Sequence, residues 1–89
     1  MSSTWYVYYL RCSDASLYAG ITTDVQRRVD EHSFDNKKAA KYTRVRRPVT
    51  LAYVEQALDN SAASKREYQL KQFSKAEKEK LVSTFAHVC

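Results

Sequence analysis

The chain has 89 residues, with 15 lysines and arginines against 10 aspartates and glutamates, a net charge of +5. That length leaves no room for two independent cores, so one domain spanning residues 1–89, with its core at about 5–85, is expected. No apolar run approaches the ~20 residues of a membrane span. The opening Met1-Ser2-Ser3-Thr4 has neither basic nor apolar leader character, and the distant Cys12 and Cys89 form no close pair, which points to reduced thiols in a cytoplasmic setting.

Residues 5–11 and 16–21 are rich in aromatic and aliphatic side chains and read as strands. The short turn Cys12-Ser13-Asp14-Ala15 between them makes an antiparallel hairpin. Thr23 is expected to cap a helix over residues 24–33, with Gln26 three positions on as in a capping box. A basic segment follows, with a short helix near residues 39–43, and Pro48 stops what precedes it. Residues 49–55 read as a third strand. Asp59 or Asn60 opens a second long helix, and Ser74 with Glu77 forms another capping box that starts a last helix running to about Phe85. The expected fold class is α+β, a small three-stranded antiparallel sheet flanked by helices.

The hairpin raises the first chemical question. It holds four of the seven tyrosines and the chain's one glycine. If Tyr8 faces Tyr18 across the strands, then Val7, Tyr9, Leu17, Ala19 and Ile21 share an apolar face. Tyr6, Tyr8, Ser16, Tyr18 and Gly20 then form a hydroxyl-rich face with a gap at the glycine. The plainer alternative is a half-buried aromatic layer with Gly20 at a bulge. On the following helix Arg28 and His32 lie four apart, at the rim of a Val25/Val29 stripe. An arginine there can clamp a phosphate, and a histidine can donate to one or move a proton. Taken singly, they are better read as a solvated arginine and a half-buried histidine.

Glu67 lies between Ala63 and Leu70 on the inward face of the second long helix. A carboxylate there needs a partner, either Lys71 at i,i+4 or a cation. Residues 36–54 contain no acid, whereas Lys37, Lys38, Lys41, Arg44, Arg46 and Arg47 cluster there around Tyr42. Such a patch suits a polyanion, with Tyr42 able to stack on a base; a solvated basic loop is the alternative. His87 and both cysteines read as structurally incidental.

Tyr6-Val7-Tyr8, then Tyr18-Ala19-Gly20, then Arg28, His32 and Glu67 resemble the GIY-YIG nuclease domain, above all its small stand-alone bacterial members. The likeness is closest in YAGITTDVQRRVDEH and REYQLKQFSKAEKEKLV and covers about residues 5–82. Tyr6, Val7 and Ala19 stand where the motifs carry glycine, isoleucine and isoleucine. No asparagine follows Glu67, as it does in many catalytic members.

The resemblance implies the GIY-YIG endonuclease fold and hydrolysis of DNA phosphodiester bonds, with low or structure-based selectivity and a place in DNA repair. It implies one Mg²⁺ or Mn²⁺ held by Glu67, Arg28 on the phosphate oxygens, and Tyr8 or Tyr18 as base or water-orienting group. His32 would assist, and Gly20 would leave room for access. Lys37, Lys38, Lys41, Tyr42, Arg44, Arg46, Arg47 and Lys71 would contact nucleic acid. The protein would act as a monomer or weak dimer, with a protein partner as one source of specificity. The competing expectations are a nucleic-acid-binding module of the same fold with little turnover, and a subunit that docks on a repair protein.

Overall fold

The computed structural model describes residues 4–88, with side chains as far as residue 85. The sequence readings of residues 1–3, the His87 side chain and Cys89 lie outside these. The elements are β1 (Trp5–Arg11), β2 (Leu17–Thr22), α1 (Val25–Phe34), α2 (Lys41–Arg44), β3 (Thr50–Ala57), α3 (Asn60–Gln72) and α4 (Lys75–Val88). The fold is α+β, a three-stranded antiparallel sheet in the order β2-β1-β3 flanked by helices. No helix among the described residues is long and apolar enough to cross a membrane.

The hairpin register differs from the expected one. Tyr8 pairs with Gly20, and Tyr18 pairs with Leu10. The turn accounts for the shift. It occupies residues 12–16 and is closed by Cys12 N–H donating to Ser16 O and Ala15 N–H to Cys12 O, both at 2.9 Å. Ala15 sits there at φ 69°. The slip is two residues, so every side chain keeps its expected face.

Those faces form two separate clusters. Val7, Tyr9 and Ala19 pack against Ala63 and Leu70 of α3, with Phe73, Leu81 and Val82 around them. On the opposite face Tyr8, Leu10 and Cys12 pack with Val49, Val29 of α1, Tyr18, Leu51 and Val54. Cys12 is buried among them.

Helix starts follow local chemistry. Asp59 caps α3, accepting from Ala62 N–H at 2.8 Å. Ser74 and Glu77 close the expected capping box at α4, with bonds of 2.9 and 3.2 Å. At α1 the cap is Asp24 rather than Thr23, accepting from Arg27 N–H at 3.0 Å. β2 runs on to Thr22, whose hydroxyl holds Asp24 N–H at 3.1 Å, so the chain turns one residue later than expected.

Candidate active site

The site is built outward from Tyr8, which is 2% exposed. Its ring lies over its cross-strand partner Gly20. A Cβ built on Gly20 would stand 2.6 Å from Tyr8 Cζ and closer still to the phenol oxygen. The glycine thus supplies the space the ring occupies. The phenol reaches His32 Nε2 at 3.0 Å.

His32 is fully buried and is the one buried residue of α1. It forms the centre of the helix's inward stripe and not its rim, whereas Val25 and Val29 are only half-buried. Its second nitrogen, Nδ1, lies 2.8 Å from Thr43 Oγ1 of α2. Both ring nitrogens are therefore engaged inside the protein. The Tyr18 ring meets the imidazole edge-on at 5.4 Å. Thr43, also fully buried, did not stand out in the sequence. The available signal is that it is the one Ser or Thr between Asn36 and Pro48.

Burial pushes the Tyr8 pKa up to about 12, opposed by the Arg28 guanidinium. Tyr18 is raised for the same reason, with the same opposing charge. Burial, and then the Arg28 charge, lower the His32 pKa from 6.5 to about 4. At neutral pH Tyr8 and His32 are both uncharged. The Arg28 side chain is 25% exposed. Its Nη1 donates to Glu31 Oε1 at 2.9 Å and to Lys38 O at 2.8 Å, which fixes the guanidinium and ties α1 to the basic segment.

Glu67 arrives from α3, which packs across β1 and β2. β2 is an edge strand. Although α3 packs on the Tyr9 face of the sheet, the carboxylate's negative charge makes the smallest contribution to the upward shift of both Tyr8 and Tyr18. The side chain is 24% exposed and pairs with Lys71 Nζ at 3.7 Å. Among the described residues no three His, Cys, Asp or Glu side chains gather into a closed cage. A single half-buried carboxylate near two phenols fits a hard cation such as Mg²⁺ or Mn²⁺, which keeps several waters and draws ligands from a substrate phosphate.

The basic segment divides in two. Arg46 and Arg47 hold the structure together. Arg46 Nε donates to Asp14 Oδ2 at 3.0 Å and its guanidinium covers the Tyr42 ring at 3.8 Å. Arg47 donates to His32 O and to Asn36 Oδ1, both at 2.8 Å. Tyr42 stacks on Tyr18 at 5.8 Å and donates to Ser16 Oγ at 2.6 Å. Its ring is thus engaged by Tyr18 and Arg46. Lys37, Lys38, Lys41 and Arg44 are exposed, with Arg44 Nη1 donating to Asn36 O at 3.0 Å and Lys38 Nζ 4.0 Å from Glu31 Oε2. A hollow of about 320 Å³, lined by Asp14, Ser16, Tyr42, Lys75, Lys78 and Glu79, does not contain the Tyr8–His32 pair.

Residues 4–80 match the family described as the GIY-YIG catalytic domain. A UPF0213 protein of Desulfotalea psychrophila is 53% identical over 78 residues, covering 88% of this chain and 70% of its own. A UPF0213 protein of Natronomonas pharaonis is 49% identical over 83 residues, covering 93% and 95%. Among solved structures, a UPF0213 protein from Bacillus halodurans has 43% identity and a TM-score of 0.57, covering 91% of this chain and 84% of its own. With the family matched along most of its length, this chain belongs to the GIY-YIG family.

Proposed function

We propose that the protein is a metal-dependent endonuclease that hydrolyses DNA phosphodiester bonds with low or structure-based selectivity. The observation that carries this reading is the 3.0 Å contact between Tyr8 and His32, with the Arg28 charge acting on both groups. Hydrolysis needs an oriented water, charge stabilisation on the phosphoryl oxygens, and help for the leaving oxygen. Arg28 answers the second need. Besides Glu31 and Lys38 O it hydrogen-bonds the Tyr8 phenol, and a phosphate would take the remaining donors of its fork.

Tyr8 answers the first need. A neutral phenol that donates to His32 keeps its oxygen lone pairs for a water proton. To take that proton outright, Tyr8 would have to pass its own proton to His32 Nε2 along their 3.0 Å contact, which needs its pKa drawn down by positive charge, and Arg28 acts in that direction. The Tyr18 ring stands edge-on to His32 beside this pair. A divalent cation, when bound, would supply charge to the phosphate and the departing 3′ oxygen. Glu67 would hold it, once released from Lys71. The exposed Lys37, Lys38, Lys41 and Arg44 would track a phosphate backbone, contacts that position a strand without reading sequence.

A second reading, a nucleic-acid-binding module with little turnover, is favoured by one observation. Burial keeps Tyr8 neutral, opposite to the shift a standing base requires. Incubating the purified protein with supercoiled plasmid, Mg²⁺ or Mn²⁺, and chelator separates the two. The endonuclease reading expects nicking that is lost with chelator and in Arg28→Ala and Glu67→Ala. Salt-sensitive binding with no nicking at any cation concentration selects the second. Nicking that survives in Glu67→Ala rejects the assignment of that carboxylate.

A further inference from the structure

The His32 ring makes two short contacts and one long one, and together they fix where its proton sits. Nδ1 is 2.8 Å from Thr43 Oγ1. Thr43 Oγ1 is 3.0 Å from Ala40 O, placed to donate to it. Ala40 N–H points at the same Nδ1 from 3.4 Å. A hydroxyl has one proton. If it goes to Ala40 O, Nδ1 must carry the ring proton and donate to Thr43, and Nε2 is left bare to accept from Tyr8. If it goes to Nδ1, the carbonyl contact is forfeited and only the 3.4 Å approach of Ala40 is gained, which is long for an N–H bond. The first arrangement makes every short contact in the cluster and gives up only the long Ala40 N–H bond to Nδ1, which then faces a protonated nitrogen.

We infer that Thr43 is a positioning residue, whose hydroxyl holds His32 in the Nδ1-protonated tautomer and thereby obliges Tyr8 to donate inward and present its oxygen as an acceptor. With the phenol proton committed to His32, Tyr8 cannot donate to a substrate phosphate; its oxygen only accepts, from Arg28 and from a water. This deepens the endonuclease reading and rests on it for the last step alone. The orienting role resembles what a third group does for a catalytic histidine elsewhere, here performed by a neutral hydroxyl on a four-residue helix inside the basic segment.

The test reads the ring nitrogens directly. Long-range ¹H–¹⁵N spectra at neutral pH distinguish a protonated from a bare imidazole nitrogen. Wild type is expected to show Nδ1 protonated and Nε2 bare; the reverse overturns the inference without any variant. Thr43→Val keeps the shape but cannot accept, so the Ala40 N–H becomes the partner of Nδ1 and the proton moves to Nε2. Plasmid nicking by Thr43→Val should then fall about 10–100-fold in kcat, with KM changed less than about twofold. Thr43→Ser should restore both tautomer and rate. A Thr43→Val protein whose tautomer is unchanged overturns the inference, whatever its activity. The expected tautomer shift in a protein whose wild type nicks nothing upholds Thr43 and rejects the endonuclease reading instead.

Discussion

Tyr8 and Tyr9 are neighbours in one strand, point to opposite faces of the sheet and are buried alike, at 2% and 0% exposure. Burial pushes both phenols to a pKa of about 12. Their partners differ. Tyr9 donates to a backbone carbonyl, Leu70 O, at 2.7 Å, and the path ends there. Tyr8 bonds a titratable ring that is itself bonded to a hydroxyl. Burial and a shifted pKa mark both residues equally, so neither identifies the site. A guanidinium opposes the shift at both, Arg28 at Tyr8 and Arg66 at Tyr9, so what separates a structural phenol from a functional one is whether its partner can change state.

The same contrast can be broken at Gly20. Alanine there drives a Cβ into the Tyr8 ring, so the phenol must leave His32 while the Tyr9 face is untouched. Gly20→Ala should lower nicking about 10–100-fold and cost about 1–3 kcal/mol, measured by plasmid nicking and urea unfolding. The Tyr9–Leu70 bond should persist, seen as an unchanged Leu70 carbonyl shift by NMR.

Acid acts on the Tyr8 face through His32. His32 has a pKa of about 4 when folded against 6.5 ordinarily. The unfolded chain thus holds more protons between those values, and stability falls as pH drops. The contribution is complete above pH 6.5 and is lost as pH falls toward about 4, a drop of about 2–4 kcal/mol. His32→Gln should flatten that part of the stability profile, measured by urea unfolding from pH 7 to 4. An identical slope in the variant would assign the acid sensitivity to carboxylates elsewhere. The smallest effect is expected at the hairpin turn, remote from both tyrosines. Ala15 at φ 69° is strained, and Ala15→Gly should raise stability by about 0.5–1 kcal/mol with nicking unchanged.

The elements legible in the sequence were those set by neighbours along the chain. Asp59 and the Ser74–Glu77 pair start their helices because capping is decided within three or four residues. At α1 several short polar residues stand together, and the end of β2 chose Asp24 over Thr23. Strand alternation fixed which side chains share a face, so Tyr8, Tyr18 and Gly20 were grouped correctly. The absolute register needed the turn, which spans residues 12–16 through bonds that composition does not announce. Thr43 was missed because its partner is 11 positions away. The division of the arginines was illegible for the same reason. Arg46 answers Asp14 from 32 positions off and Arg47 the His32 carbonyl from 15, and a basic run alone does not say which members are already bonded.

The measurement that bears most directly on the contrast compares Tyr8→Phe with Tyr9→Phe in the same nicking and melting assays. Each removes one buried hydroxyl from the same strand. The account predicts that Tyr8→Phe loses at least ~100-fold in nicking rate while remaining folded. Tyr9→Phe should nick like wild type and lose about 1 kcal/mol of stability. Equal loss of activity in both, or full activity in Tyr8→Phe, would contradict it.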